Sequence, residues 1–308
     1  MKYPAPAIMG GDPFCDAFRA LYDPHCYWKL TDPDYCISVM RGAYDGGCRA
    51  FDYSFPAVQE MFLRLRDSVG ERIIGYGNPT YLQGPMLNGR HLQFLRSRII
   101  STYVKREGFM PDAIRRRVQD ELREKTCMVF GFDLEAEPLS DGEIASIYLD
   151  EDVYQKRLDG IGESTYVLVG GTDADWLYSL GRGDIIARMA QVVRSRGQIP
   201  LLLCHYASTV LREADAQNLD VEGYFAPINQ SWAWFDQESA RQAVLSAKKP
   251  VTAFMAFACG DLRISMRQAA EYLRDCANIS GVLFGTTKAV NARSTAAMLG
   301  EVFQSPAQ

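Results

Sequence analysis

Short apolar runs alternate with amphipathic stretches through the C-terminal half of the chain. Four of these runs are apolar enough to be buried on both faces, and each leads into a helical pattern: 199–206, 221–228, 251–258 and 281–285. Such runs, separated by helices, are typical of a parallel sheet covered by helices. The pattern therefore predicts repeated β/α units, whose functional residues lie at the carboxyl ends of the strands.

The whole chain contains nine candidate strands: 6–11, 48–54, 72–76, 126–132, 166–170, 199–205, 221–228, 251–258 and 281–285. Nine runs fit an eight-stranded barrel with one extra run better than an open sheet. The sequence leaves open whether 6–11 or 126–132 is the extra one. Since a barrel of roughly 250 residues forms one unit, we predict an α/β fold in which residues 1–308 make a single (β/α)8 TIM barrel domain.

The regular alternation breaks between Tyr81 and Lys125, where two helical patterns occur and no strand is expected. Leu92, Leu95, Ile99 and Tyr103 mark one apolar face, and Ile114, Val118 and Leu122 mark the other. The segment has ten Lys/Arg and five Asp/Glu. We expect a basic helical insertion that is either a solvated face, a subunit contact for a homo-oligomer, or a lid that attracts an anionic substrate.

Composition limits the classes of partner. The net charge of −5 and pI near 5.4 argue against a nucleic-acid-binding surface over the whole molecule. There is no apolar run of the roughly 18 residues that a membrane span needs, and no signal-peptide pattern at Met1–Gly11. These features predict a cytoplasmic protein without a membrane partner. Its eight scattered cysteines are then expected to be reduced thiols.

Three segments carry a resemblance to a known family. Gly47–Ser54 is similar to the G-x-R-x-x-D-[ST]-[AS] strand of the aldo-keto reductases, 253–262 resembles their seventh-strand segment, and Phe284–Thr287 resembles their eighth-strand turn. The resemblance implies a (β/α)8 barrel and NADPH-dependent carbonyl reduction through an Asp, Tyr, Lys, His tetrad. Only Asp52 has a counterpart in that tetrad. Ala57 stands in the place of the tyrosine, and the lysine and histidine are absent from 72–78 and 166–171.

The polar residues at the predicted strand ends favour acid–base chemistry. Asp52 lies near the end of a firm strand, and His205 is the one histidine of three that follows a strand, with Tyr206 beside it. We predict Asp52 as the base and His205 as the acid, with Tyr206 as a second proton donor. Asp173 and Asp175 also follow a strand, but Gly-Gly-Thr-Asp-Ala-Asp is more typical of a turn and helix cap.

Other residues at predicted strand ends are suited to bind a substrate. A glycine turn with two hydroxyls and a lysine, ahead of a helix N-terminus, suits a phosphate or carboxylate. The complete set of predicted binding residues is Tyr76, Asn78, Asn229, Gln230, Arg263, Gly285, Thr286, Thr287 and Lys288.

The sequence therefore predicts an enzyme of lyase or isomerase type that acts on a small anionic substrate at the C-terminal mouth of the barrel. Two alternatives remain: a divergent NADPH-dependent reductase, and a catalytically silent barrel that serves as a partner subunit. The favoured function requires no cofactor. A divalent metal remains conceivable at Asp173, Asp175, Cys204 and His205, but no ligand spacing supports it, so no metal ligands are assigned.

Overall fold

The structure is a computed structural model that describes residues 3–14, 28–79, 83–106, 136–230, 237–258 and 264–304. Eight parallel strands close into a barrel in chain order. They are β1 (Ala7–Met9), β2 (Ala50–Tyr53), β3 (Ile74–Gly77), β7 (Tyr166–Gly170), β8 (Ile199–Leu203), β9 (Tyr224–Pro227), β10 (Val251–Phe254) and β11 (Ile279–Phe284). The predicted (β/α)8 fold is confirmed.

The barrel closes through β1, because Ala7 pairs with Val282 of β11 and Met9 pairs with Phe51 of β2. The doubtful run at 6–11 is therefore a barrel strand. β3 pairs directly with β7, so the barrel is complete without the run at 126–132, which lies outside the described residues.

Helices cover the outside of the barrel. They are α1 (Pro33–Asp45), α2 (Pro56–Val69), α3 (Arg96–Arg106), α4 (Asp141–Ala145), α5 (Glu151–Asp159), α6 (Thr172–Ser179), α7 (Gly183–Ser195), α8 (Ala207–Ala216), α9 (Gln237–Ser246), α10 (Met266–Asp275) and α11 (Ala289–Gln304). Several begin at the side chains that the sequence favours as caps. Asp32 accepts a hydrogen bond from the Asp34 N–H ahead of Pro33, and Ser265 forms a capping box with Gln268.

The insertion between β3 and β7 contains a small antiparallel sheet of β4 (Pro85–Leu87), β5 (Arg90–His91) and β6 (Tyr148–Leu149). The expectation of no strand here was wrong. Asn88 and Gly89 both have positive φ, which is the conformation of a two-residue hairpin turn, and Asn-Gly is its usual sequence. The sequence pattern did not indicate this short hairpin because an apolar helical spacing begins at Leu92, directly after it.

Part of the basic insertion is engaged in its own packing. The Arg98 guanidinium donates to both carboxylate oxygens of Glu143, at 2.8 and 2.9 Å, and to the carbonyl oxygens of Glu137 and Pro138. This arginine therefore stabilises the insertion itself. The second predicted helix of the insertion, around Ile114–Leu122, lies outside the described residues.

An aromatic cluster fills the N-terminal end of the barrel. The ring of Tyr76 stacks on Tyr166 with centroids 4.8 Å apart, and Tyr3 and Phe225 pack beside them. The Tyr3 hydroxyl donates to the carbonyl oxygens of Tyr224 and Pro250, which lie at the amino ends of β9 and β10. The N-terminal segment thus closes one end of the barrel, and the polar strand ends lie at the other. No helix in the described part of the chain is long and apolar enough to cross a bilayer.

Candidate functional site at the barrel mouth

A hydrogen-bonded pair joins the exits of two neighbouring strands. His205 follows β8, and its Nδ1 lies 2.8 Å from Oδ2 of Asp175, which is in the first turn of α6 after β7. The other oxygen, Oδ1, accepts the backbone N–H groups of His205 and Tyr206 at 2.8 and 2.9 Å. Because a carboxylate only accepts hydrogen bonds, this contact places the ring hydrogen on Nδ1. Nε2 is then the ring nitrogen that carries no hydrogen in the neutral imidazole.

Burial makes this pair rigid. The Asp175 side chain is 1% exposed and that of His205 is 21% exposed. The imidazole also packs edge-on against Phe254 at the end of β10, with centroids 5.4 Å apart. The ring is therefore fixed in position and in tautomer, yet part of it reaches the surface of the mouth. Tyr206 contributes its backbone N–H to the pair and begins α8.

Asp52 lies inside the barrel wall. It is two residues beyond Ala50 on β2, and because side chains alternate along a strand, it shares the interior face with that residue. Its side chain is buried, and Oδ1 has no hydrogen-bond partner among the described residues. Burial and the nearby charge of Asp12 raise the pKa of Asp52 well above its usual value, against a backbone hydrogen bond from Gly11. Burial thus favours the protonated, uncharged form of Asp52.

Asp12 is a second carboxyl group at the same place. Its Oδ1 accepts a hydrogen bond from the Ser54 hydroxyl at 3.0 Å, just beyond the end of β2. Burial raises the pKa of Asp12, while the Ser54 hydrogen bond and His205 favour its charged form. Asp12 therefore interacts electrostatically with both Asp52 and His205.

Asp173, two residues before Asp175, is buried without serving as a helix cap. Burial, with a smaller effect of the Asp175 charge, raises the pKa of Asp173 to about 7. Gly171 is the N-cap of α6, and neither Asp173 nor Asp175 caps the helix as the sequence pattern had suggested. Asp175 instead reaches across to the next strand exit.

The predicted anion-binding turn lies on the same rim, since the Phe284 carbonyl at the end of β11 accepts the N–H of Gly10 after β1. Gly285 and Lys288 are exposed, whereas Thr287 is buried and its carbonyl oxygen accepts the Tyr35 hydroxyl. Thr286 lies between them, half-buried, and α11 begins directly after Lys288. The turn therefore presents its lysine at the outer edge of the mouth.

The remaining predicted binding residues have different surroundings. Asn229 is buried and donates through Nδ2 to the Met255 carbonyl at 3.2 Å, while Gln230 is exposed. Asn78 is buried and follows β3, with its backbone N–H donating to the Tyr53 carbonyl. Arg263 lies outside the described residues.

Three further observations limit the chemistry of the site. Tyr76 belongs to the aromatic cluster inside the barrel, which gives it a packing role. The described part of the chain contains no group of three or more His, Cys, Asp or Glu side chains arranged to hold a metal ion. Burial raises the pKa of the Cys204 thiol well above its ordinary value, so this cysteine behaves as a core residue.

The sequence reasoning missed Asp12 and gave Asp175 a different role. A carboxylate directly after a predicted strand and a Gly-Gly exit is the signal that could have identified Asp12. No local signal identifies Asp175 as the partner of His205, because 30 residues separate them in the chain.

Comparison with known proteins supports the fold. Two solved Pseudomonas aeruginosa structures assigned to the aldo-keto reductases match with TM-scores of 0.54 and 0.55 at 13% and 14% identity; each covers 97% of this chain, and 91% and 90% of the other chain. A holo-form aldo-keto reductase from Bacillus halodurans matches with a TM-score of 0.52 at 8% identity, covering 89% of this chain and 86% of the other.

Sequence comparison adds nothing to this likeness: no family model matches the chain, and no curated protein matches it. At these identities the structural likeness concerns the fold alone. The order of the eight strands and the position of Asp52 on the second strand agree with the resemblance found in the sequence. The chain is therefore a (β/α)8 barrel whose fold is similar to that of the aldo-keto reductases.

Proposed function

We propose that the chain is an enzyme of lyase or isomerase type that transfers protons on a small substrate carrying a carboxylate or phosphate group. The observation that carries this proposal is the contact between Asp175 and His205. A buried carboxylate that fixes an imidazole through Nδ1 is the arrangement by which enzymes orient a histidine for proton transfer. Its place at the carboxyl ends of the barrel strands supports a catalytic role.

The two protonation states suggest complementary roles for His205 and Asp52. His205, oriented by Asp175, removes a proton from the substrate through Nε2. Asp52, whose pKa is raised by burial, supplies a proton to a second atom of the substrate. The sequence suggested Asp52 as the base and His205 as the acid. We propose the opposite direction for the first transfer, because burial favours the protonated carboxyl.

Charge at the mouth suggests how a substrate would be oriented. Asp52 and Asp175 are buried and Asp12 is half-buried, whereas Lys288 is exposed at the rim beside the N-terminus of α11. Positive charge and a helix N-terminus both favour anions. An anionic group would therefore be held at the rim, and the neutral reacting carbon would face Asp52 and His205.

An assay of hydrogen exchange with solvent tests this function on many candidate substrates at once. Pools of small carboxylates, phosphates and ketones are incubated with the protein in D₂O, and deuterium incorporation is followed by proton NMR and mass spectrometry. We expect one chemical class to exchange a carbon-bound hydrogen. His205→Gln and Asp52→Asn should lower the exchange rate by about 10²-fold or more, which is the usual contribution of general acid–base groups.

Matched controls come from the same residue types elsewhere in the chain. His91→Gln alters a histidine of the small sheet, and Asp45→Asn alters an exposed carboxylate at the end of α1, at the opposite end of the barrel. Both variants should exchange at the wild-type rate. Equal rates in wild type, His205→Gln and Asp52→Asn would contradict the assignment.

A second candidate is a divergent NADPH-dependent reductase, favoured by the likeness of the fold to a holo-form aldo-keto reductase. In that family the resemblance implies a lysine and a tyrosine near the aspartate. Among the described residues the charge that acts on Asp52 is instead that of Asp12, a carboxylate. Titration with NADPH, followed by quenching of tryptophan fluorescence, separates the two candidates, since only a reductase should bind the nucleotide.

A further inference from the structure

We propose that Asp12 is a second carboxyl group of the proton-transfer site and that it shares a single proton with Asp52. The inference rests on the proposed acid–base function and adds to it a residue that interacts with both of the proposed catalytic groups. The charge of Asp12 acts on Asp52, and His205 in turn acts on Asp12.

Local geometry brings Asp12 to Asp52. Gly11 lies so close to β2 that a Cβ on it would be 2.6 Å from the Asp52 carbonyl oxygen and 2.6 Å from Cγ1 of Val58. Only a residue without a side chain allows this approach. The next residue, Asp12, is thereby delivered to Ser54, whose hydroxyl donates to Asp12 Oδ1 at 3.0 Å. The backbone therefore brings Asp12 to the end of β2 even though negative charges on Asp12 and Asp52 repel each other.

The surroundings of Asp52 disfavour a second negative charge beside that of Asp12. Asp52 is 2% exposed, and among the described residues its Oδ1 has no hydrogen-bond partner. Asp12 is half-buried, but its charge acts on the buried Asp52, and two neighbouring carboxyl groups cannot both ionise easily, so one proton is held by the pair. Asp12 has the better stabilised charge, because Ser54 donates to it and His205 lies near it. We therefore assign the shared proton mainly to Asp52.

Three groups act on this proton, from three strand exits: Asp12 after β1, Asp52 on β2, and His205 after β8, which in turn contacts Asp175 after β7. The described residues contribute no lysine or arginine that acts on the pKa of either carboxyl. After one turnover His205 holds the proton taken from the substrate, and Asp52 has lost its own. Return of that proton from His205 to Asp52 restores both starting states without any other reactant.

Infrared difference spectroscopy between pH values tests the pair in the protein without substrate. A protonated carboxyl has a distinct C=O stretch, and the wild type should show two that persist above the usual range of aspartate, one from Asp52 and one from Asp173, whose pKa is about 7. Asp52→Asn should remove the first of these bands and leave the second. Asp12→Asn removes the adjacent negative charge, so the remaining band of Asp52 should titrate lower by about one pH unit or more. An unchanged midpoint in Asp12→Asn would overturn the proposal.

A second variant shows whether a lower midpoint comes from loss of the Asp12 charge or from water that enters the site. Ser54→Ala removes a hydrogen bond that favours charged Asp12, so the midpoint should stay high or rise. If the midpoint fell in both variants, water entry would explain the shift and the pair would be refuted. Asp173→Asn is the control, because it removes a different buried carboxyl and should leave the Asp52 band in place. Because the infrared measurement needs no substrate, it tests the carboxyl pair independently of the deuterium-exchange assay, which tests the proposed function.

Discussion

The contact between Asp175 and His205 can be dissected with two substitutions at one position. Asp175→Ala removes an acceptor that serves three donors: the backbone N–H groups of His205 and Tyr206, and Nδ1 of the imidazole. Asp175→Asn is nearly the same in shape. Its amide oxygen can replace Oδ1 and keep both backbone hydrogen bonds, whereas its amide nitrogen would face Nδ1.

The expected costs follow from these three hydrogen bonds. Leaving a buried donor without an acceptor costs about 1–3 kcal/mol. Because His205 and Tyr206 are only half-buried, Asp175→Ala should lower the free energy of unfolding by about 2–5 kcal/mol in total. Asp175→Asn loses one bond to a charged acceptor and regains a neutral one after the ring hydrogen moves to Nε2, so its net cost should be about 1 kcal/mol.

Asp175→Asn should cost little stability but much activity. Asp175→Asn keeps the fold but gives His205 the wrong tautomer, which costs about 10⁴-fold in turnover in enzymes of the Ser-His-Asp type. We expect a loss of about 10²–10⁴-fold in deuterium exchange from this variant. The nitrogen chemical shifts of the imidazole should move from the Nδ1–H form to the Nε2–H form.

Urea denaturation of both variants gives the stabilities, and NMR of protein labelled with ¹⁵N-histidine gives the tautomer. His91→Gln simplifies the assignment of the histidine signals and leaves the mouth intact. A hydrogen that stays on Nδ1 in Asp175→Asn would contradict this role of Asp175. An equal loss in the free energy of unfolding in the two Asp175 variants would contradict it as well.

Two further predictions concern stability. Asp173 has a pKa of about 7 in the folded protein, above the usual value of 3.8. Its contribution to the free energy of unfolding is therefore present below pH 4 and is lost as the pH rises through 7. In urea denaturation, Asp173→Asn should be more stable than wild type by about 1–4 kcal/mol at pH 8 and no more stable at pH 4. A Cβ at Gly223 would overlap the ring of Tyr3, so Gly223→Ala should cost about 1–3 kcal/mol. The same substitution in a Tyr3→Ala background should cost much less, and equal costs in both backgrounds would contradict the contact.

Most of the fold was predictable because buried parallel strands have a strong local signature. The runs at 199–205 and 251–258 contain β8 and β10, and 48–54 contains β2. β1 is hard to predict because it is only three residues long. It pairs with β2 at Phe51 and with the distant β11 at Val282. The short hairpin at Asn88–Gly89 was missed because an apolar helical pattern follows it at once.

The site was less predictable because its contacts are between distant residues. A strand-end histidine is visible in the sequence, but its partner at Asp175 is fixed by the pairing of β7 with β8. Tyr76 illustrates the opposite case, since its position near a strand end suggested the mouth whereas its ring stacks on Tyr166 in the core. Asp12 lies in a segment without periodicity, and only the close approach of Gly11 to β2 gives it a place.

The four side chains that we assign to proton transfer, Asp12, Asp52, Asp175 and His205, follow or lie on the first, second, fourth and fifth strands of the barrel. The exits of β9, β10 and β11 contribute none of these four. Apart from Phe254, which packs against the His205 ring, substitutions at those exits would reshape the pocket without removing a group that handles protons. The groups that bind the substrate can therefore change separately from the groups that transfer its protons.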